Sequence, residues 1–250
     1  MKHLFESPRL KVKRANQHID AVEKLIVDFS NDPGHKIVSK TDPSGLTKLM
    51  FEPGDSLSAE VGLSVGDAVH NLRAALDHVM TALVTHLVPG CTKEHIYFPI
   101  RQDEAGVKDA LKNGEVGKAM ATTVGQKIAA VILDAIKPYG TREQLLPMLS
   151  KLDNIDKHRF ILTLFSAGGM KTGTATLGSG NVFRNSHFIS YRNTPMVLSG
   201  GLKLEGDFKP VVEVLLDEAE LPKYEPLLPA LKNISKVVSQ SIDAIERCVT

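Results

Sequence analysis

The 250-residue chain carries 30 basic and 29 acidic side chains, a net charge of +1 and 42% hydrophobic residues. That balance excludes a protein held on nucleic acid or an anionic membrane by its overall field, and it suffices for one sizeable core. Two distant cysteines, Cys91 and Cys248, exclude a disulfide framework and a Cys-x-x-Cys metal knuckle.

The start, Met-Lys-His-Leu-Phe-Glu-Ser-Pro, lacks a secretory apolar segment, and no apolar run approaches the ~20 residues that span a bilayer. The expected protein is cytoplasmic, a single domain over 1–250, with no membrane partner. In chain order, Ser7-Pro8 opens an amphipathic helix over 8–30 that stops before Asn31-Asp32-Pro33-Gly34. Arg9, Lys11, Lys13 and Arg14 read as its solvated face. Residues 35–38 and 47–51 flank Asp42-Pro43-Ser44-Gly45 and predict a β-hairpin.

A second long helix is expected over 64–88, closed by Pro89-Gly90. Shorter helices follow at 103–112 and 122–137, the latter stopped by Pro138-Tyr139-Gly140. A further long helix is expected over 143–165. From 166 to 221 the pattern turns to Gly, Thr, Ser and β-branched residues, with strands expected at 172–177, 182–191, 201–204 and 211–216. Gly168-Gly169 and Gly178-Ser179-Gly180 read as hairpin turns, and Phe183, Phe188 and Tyr191 as sheet packing. A last helix, 223–248, begins among Pro222, Pro226 and Pro229, so its entry should be stepped. The fold class is α+β: about four long helices in a bundle, a β-hairpin near the N-terminus that can join the later sheet, and a β-rich insertion at 166–221 before the C-terminal helix.

The chemistry concentrates in the second helix. Gly66-Asp67-Ala68-Val69-His70-Asn71-Leu72-Arg73-Ala74-Ala75-Leu76-Asp77-His78 sets two histidines, an arginine and two aspartates into a largely apolar helix. Charged groups enter such surroundings only with partners or a chemical role. At 100° per residue, Val69, Leu72, Leu76, Val79, Met80, Leu83 and Leu87 form one apolar face. His70, Arg73 and Asp77 form a stripe beside it, and Asp67, Asn71 and His78 a third. The helix at 143–165 has a matching interruption, with Asp153, Asp156 and Lys157 sharing a face with Leu146, Leu149, Phe160 and Leu164. The two helices are expected to meet through these charges, Arg73 opposite Asp153 or Asp156, Lys157 opposite Asp77, and His70 bridging.

Two readings stay open. One is a buried network of Asn71, Asp77, Asp153, Asp156, Lys157 and His158 that fixes helix register in a noncatalytic binding or assembly protein. The other is a site. Imidazole can move the proton of an RNA 2′-hydroxyl while guanidinium steadies phosphate charge. His70, Asp77, Asp153, Asp156 and His158 could ligate a metal. Without HExxH or paired Glu-x-x-His, and with Arg73 and Lys157 alongside, no metal and no cofactor is expected.

The segments Gly66–His78 and Asp156-Lys157-His158-Arg159 resemble a bacterial family of uncharacterised proteins that share a GDAxHNLRxALDH helix and a later DKHR helix. The spacing of Arg73 and His78 is similar to the Arg-then-His motif of the HEPN superfamily of helical-bundle ribonucleases and nucleotide-binding proteins. Ala74 departs from the polar residue that often follows that arginine, and the insertion lies outside the superfamily's compact core. The HEPN resemblance implies RNA as partner, a homodimer, and metal-independent cleavage by His70, Arg73 and His78.

Overall fold

The computed structural model describes residues 3–249 except 45, 53, 55, 93, 142, 143, 159–163, 172, 173, 178–180, 185, 186, 191–195, 199–201, 206–208 and 217–224. The fold is α+β. Helix α1 spans Glu6–Ser30, with Pro8 in its first turn, where a missing N–H leaves no bond unmade. Its buried residues Pro8, Val12, Ala15, Ile19, Val22 and Ile26 recur every four and three positions. This is the stripe a helix presents to one long neighbour. That neighbour is α2, Ala59–Leu87. Helix α2 also touches α6, Leu145–His158, and α7, Leu227–Val249, and so forms the centre of the bundle. Between Val61 and Val84 it buries thirteen residues in all, two of them glycines.

Helix α2 begins five residues before the expected start, because Ser58 caps it by accepting a hydrogen bond from Glu60 N at 3.2 Å. Gly62 and Gly66 weaken the helical signal there, yet both are buried against neighbours. Helix α3 spans Glu104–Ala110 under an Asp103 cap. Helix α4, Gly114–Met120, was not expected, since Asn113-Gly114 reads as a turn; Gly114 takes φ +58° and the helix starts from it. Helix α5, Thr123–Ala130, runs into a π-helical turn at Val131–Ile136, closed by Lys137 N–H donating to Ile132 O.

Strands β1, Lys36–Thr41, and β2, Thr47–Glu52, form the expected hairpin. Asp42 Oδ1 accepts from the backbone N–H of Ser44 and Leu46, which folds the turn. Thr47, Leu49 and Phe51 face inward, Lys48 and Glu52 outward. His35 anchors the hairpin to the end of α1: Nε2 donates to Phe29 O at 2.7 Å and Nδ1 accepts from Gly54 N at 3.1 Å. Gly34 and Gly54 approach so closely that a Cβ on Gly54 would stand 2.6 Å from Gly34 Cα.

The insertion holds β3 Leu164–Lys171, β4 Thr174–Leu177, β5 Val182–Arg184, β6 His187–Ser190, β7 Met196–Leu198, β8 Leu202–Glu205 and β9 Lys209–Leu216; β10, Glu225–Pro226, follows. Among the described residues these strands pair antiparallel, in sheets ordered β1-β2-β7, β10-β9-β3-β6 and β5-β4-β8. The hairpin thus joins the insertion through β7. Strand β9 packs on α1 and α7 and sends Val214 and Leu216 into the main core.

Three expectations are corrected. The helix expected to reach 165 ends at His158, and Leu164 opens a strand, so Leu164 does not extend the apolar face of α6; Phe160 lies outside the described residues. Gly168-Gly169 is not a turn but the middle of β3, paired on both edges. Glycine inside a strand supplies no side chain and so breaks the alternation that would have announced it. The single strand expected at 182–191 is two strands in different sheets, which separates Phe183 from Phe188. Tyr191 and 178–180 lie outside the described residues.

Candidate functional site

The polar stripe of α2 divides among three neighbours. Toward α6, His70 Nδ1 lies 3.3 Å from Asp153 Oδ1. The other oxygen of Asp153 accepts from Lys157 Nζ at 2.5 Å, one turn along α6. Asp153 is 3% exposed, whereas His70 and Lys157 are 52% and 46% exposed. With the carboxylate oxygen as acceptor, His70 donates from Nδ1, and Nε2 is left for another partner. Asp156 lies near His70, and its carboxylate rests on Gly66, where no Cβ intervenes. Burial raises its pKa, the charges of Asp153 and Asp67 add to that, and His70 and Lys157 oppose it.

Toward the segment between α2 and α3, Asp77 Oδ1 forms an ion pair with Arg73 Nη2 at 2.9 Å and accepts a hydrogen bond from Phe98 N at 2.8 Å. Arg73 Nη2 also donates to Phe98 O at 3.0 Å. One ion pair on a single helical face therefore satisfies both backbone groups of Phe98, whose ring is fully buried. Arg73 and Asp77 are 13% and 23% exposed. Burial lowers the pKa of Arg73 and raises that of Asp77, each opposed by the charge of the other. Among the described residues, Arg73 Nη1 is buried without an acceptor.

Toward α1, His78 Nδ1 meets Ser7 Oγ at 2.8 Å, in an open groove with Leu4, Thr81 and His86. Asn71 accepts from Lys11 Nζ at 3.2 Å and donates to Asp67 O. Arg9, expected in a merely solvated face, bonds to Asp243 and Glu246 of α7.

The structure thus brings His70, Asp153, Asp156 and Lys157 together, and Arg73 with Asp77, but gives Arg73 and His78 partners on different elements. The expected pairings are corrected in part. Arg73 pairs with Asp77 and Lys157 with Asp153, each four residues away on its own helix, while the charge of Asp153 still acts on Arg73 and that of Lys157 on Asp77 across the helices, and His70 to Asp153 is an ion pair between the two. The i,i+4 geometry sets charged groups close together without either helix having to move. His158 closes α6, and its side chain lies outside the described residues. The Phe98 backbone was missed, because residues 91–103 show no period that would place them against α2. Among the described residues no three His, Cys, Asp or Glu side chains gather as metal ligands.

Among the described residues no single helix is long and apolar enough to cross a membrane; one pair, Gly114–Met120 with Thr123–Ile136, reaches the length together but bends by 104°. No protein-family model, no curated protein and no solved structure matches the chain.

Proposed function

We propose that this protein is a cytoplasmic, HEPN-like RNA-binding protein that cleaves RNA without metal, with His70 as its proton carrier. The observation that carries this reading is the half-exposed imidazole braced from behind by a buried carboxylate. A bond from Nδ1 to Asp153 fixes the tautomer and turns Nε2 outward as the acceptor. Nε2 takes the 2′-hydroxyl proton, the 2′-oxygen attacks phosphorus, and the 5′-oxygen leaves with a proton, giving a 2′,3′-cyclic phosphate. Asp156, close to His70, is assigned as the donor to the leaving oxygen, a role that the upward push of burial on its pKa favours. Lys157 supplies the cation beside the charged phosphorane. Arg73 is committed to Phe98 in this reading, and the work that the resemblance assigns to it falls to Lys157.

The test is incubation of the purified protein with a panel of RNAs in the presence of a chelator. Cleavage to cyclic-phosphate ends is expected, with His70→Ala at least ~100-fold slower. A panel left intact by wild type, or cut equally by His70→Ala, overturns the reading.

A second reading, a noncatalytic binding or assembly protein, is favoured by the Arg73–Asp77 pair, which is mostly buried and holds backbone. It expects intact RNA and a large stability loss when that pair is broken.

A further inference from the structure

An open groove of about 630 Å³ lies where the first turn of α1 meets the C-terminal part of α2. Leu4 and Ser7 line one side, and His78, Thr81, Ala82 and Thr85 the other. We infer that this groove is an esterase site, in which Ser7 is the nucleophile and His78 its base, acting on a carboxylic ester with a short apolar acyl group. This chemistry needs nothing from His70 or the α6 cluster, and it employs a histidine that the RNA reading leaves idle.

Three features of the groove converge on it. First, nucleophile and base are already in contact. Ser7 Oγ lies 2.8 Å from His78 Nδ1, although the two are 71 positions apart in the chain. A serine hydroxyl is a weak nucleophile until a base within hydrogen-bond reach takes its proton. With the imidazole proton on Nε2, Nδ1 accepts from Oγ, the arrangement in which that transfer occurs. Ser7 is exposed and His78 half-buried, and both line the groove.

Second, Ser7 stands where a developing oxyanion finds a donor. It is the second residue of α1, so its own N–H belongs to the turn whose amides have no partner within the helix. The partial positive charge at that end of the helix strengthens the donor. Serine hydrolases use the N–H of the nucleophile itself in this way. The geometry is held from both helices: Phe5 and Pro8 are buried on either side of Ser7, and Val79 and Met80 are buried directly after His78. The pair is therefore in place before a substrate arrives.

Third, the rest of the lining suits an acyl chain. It is mostly apolar: Leu4 and Ala82 contribute hydrocarbon, and Thr81 turns its hydroxyl away to donate to Asp77 O at 3.0 Å. His3, bonded to Glu6 at 3.1 Å, and His86 complete the lining. In the reaction Ser7 Oγ attacks the ester carbonyl carbon as its proton passes to His78 Nδ1. The carbon–oxygen bond to the alcohol then breaks, and the alcohol leaves with that proton. Water attacks the acyl-serine as it gives a proton to Nδ1, the carboxylic acid departs, and Ser7 Oγ recovers the proton. The sum is ester and water to alcohol and acid, with no cofactor.

The experiment treats the full chain, as wild type, Ser7→Ala and His78→Gln, with a fluorophosphonate, which phosphonylates activated serines, and locates the label by peptide mass mapping. Hydrolysis of p-nitrophenyl butyrate is followed in the same proteins. A single phosphonyl group on Ser7 is expected in wild type, with hydrolysis at least ~100-fold slower in either variant. Ser7→Ala alters an exposed side chain and should keep the urea midpoint of wild type, which separates lost chemistry from lost fold. No label on wild type, label spread over several serines, or hydrolysis unchanged in Ser7→Ala overturns the assignment and leaves the Ser7–His78 bond as a tie between α1 and α2. Labelling of Ser7 at the wild-type rate in a folded His78→Gln overturns it as well, since the base would then be idle.

Discussion

Arg73 with Asp77, and Asp153 with His70 and Lys157, are two charge clusters on neighbouring helices that differ in which partner is hidden from water. In the first, cation and carboxylate are both largely buried, and a backbone strand is bonded to the pair. In the second only the carboxylate is buried, while both cations stand half in solvent. The first holds shape, because both charges lie mostly away from water and removing either leaves the other poorly solvated. The second can exchange protons, because its imidazole faces outward while its orientation is set from within. Burial of a charge alone distinguishes neither role; the exposure of its partner does.

The largest effect that would test this comparison is Asp77→Ala. It strands the Arg73 guanidinium and the Phe98 N–H, and about 3–5 kcal/mol of stability should be lost. Urea unfolding, with the transition slope checked for constancy, measures this directly. A loss below about 1 kcal/mol would show that Arg73 reaches solvent and that the two clusters do not differ as described. Asp153→Ala should do less than half as much, about 1 kcal/mol, because His70 and Lys157 can hydrate once released. Equal losses in these two variants would erase the distinction.

Gly66→Ala is expected to stay within about 1 kcal/mol of wild type. The new methyl group displaces the Asp156 carboxylate, which can swing outward, and alanine returns up to ~1 kcal/mol of helical propensity. The smallest effect is in the pH profile. Burial raises the pKa of Asp156 in the folded state, so its contribution to stability is fully present below the unfolded pKa and is lost as pH rises through the raised folded value. Asp156→Asn should therefore gain stability relative to wild type as pH increases across that window. A constant difference between the two unfolding curves would show that the carboxyl is solvated.

Much of the bundle was legible. The four-and-three spacing along α1 and the apolar face of α2 announce two long helices packed lengthwise. The Asp42 turn announces the hairpin. Charges in the middle of α2 and α6 announced that these helices share something polar, and they meet through His70 and Asp153. The partners were misjudged because helical spacing shows which residues share a face but not whether a charge reaches across or along it. Phe98 could not be found at all, since its bonds to Arg73 and Asp77 use backbone groups that every residue carries. Strand β3 was hidden by Gly168-Gly169, and α4 by Asn113-Gly114, where glycine sits inside or at the start of an element that its usual turn preference contradicts. His35 gave no sign beyond a neighbouring glycine, although it holds a loop residue and a helix end at once.

The pairing of β2 with β7 sets an order of events during synthesis. Thr47 pairs with Leu198 and Leu49 with Met196, so both strands of the hairpin are made long before its third strand exists. Some 150 residues must leave the ribosome in between, including all of α2 and α6. Until then the outer edge of β2 presents unpaired backbone to whatever is nearby. For a growing chain, the interval between translating residue 49 and residue 196 is the period of greatest exposure to mispairing. Slowing the ribosome within it should increase aggregation more than slowing it afterwards.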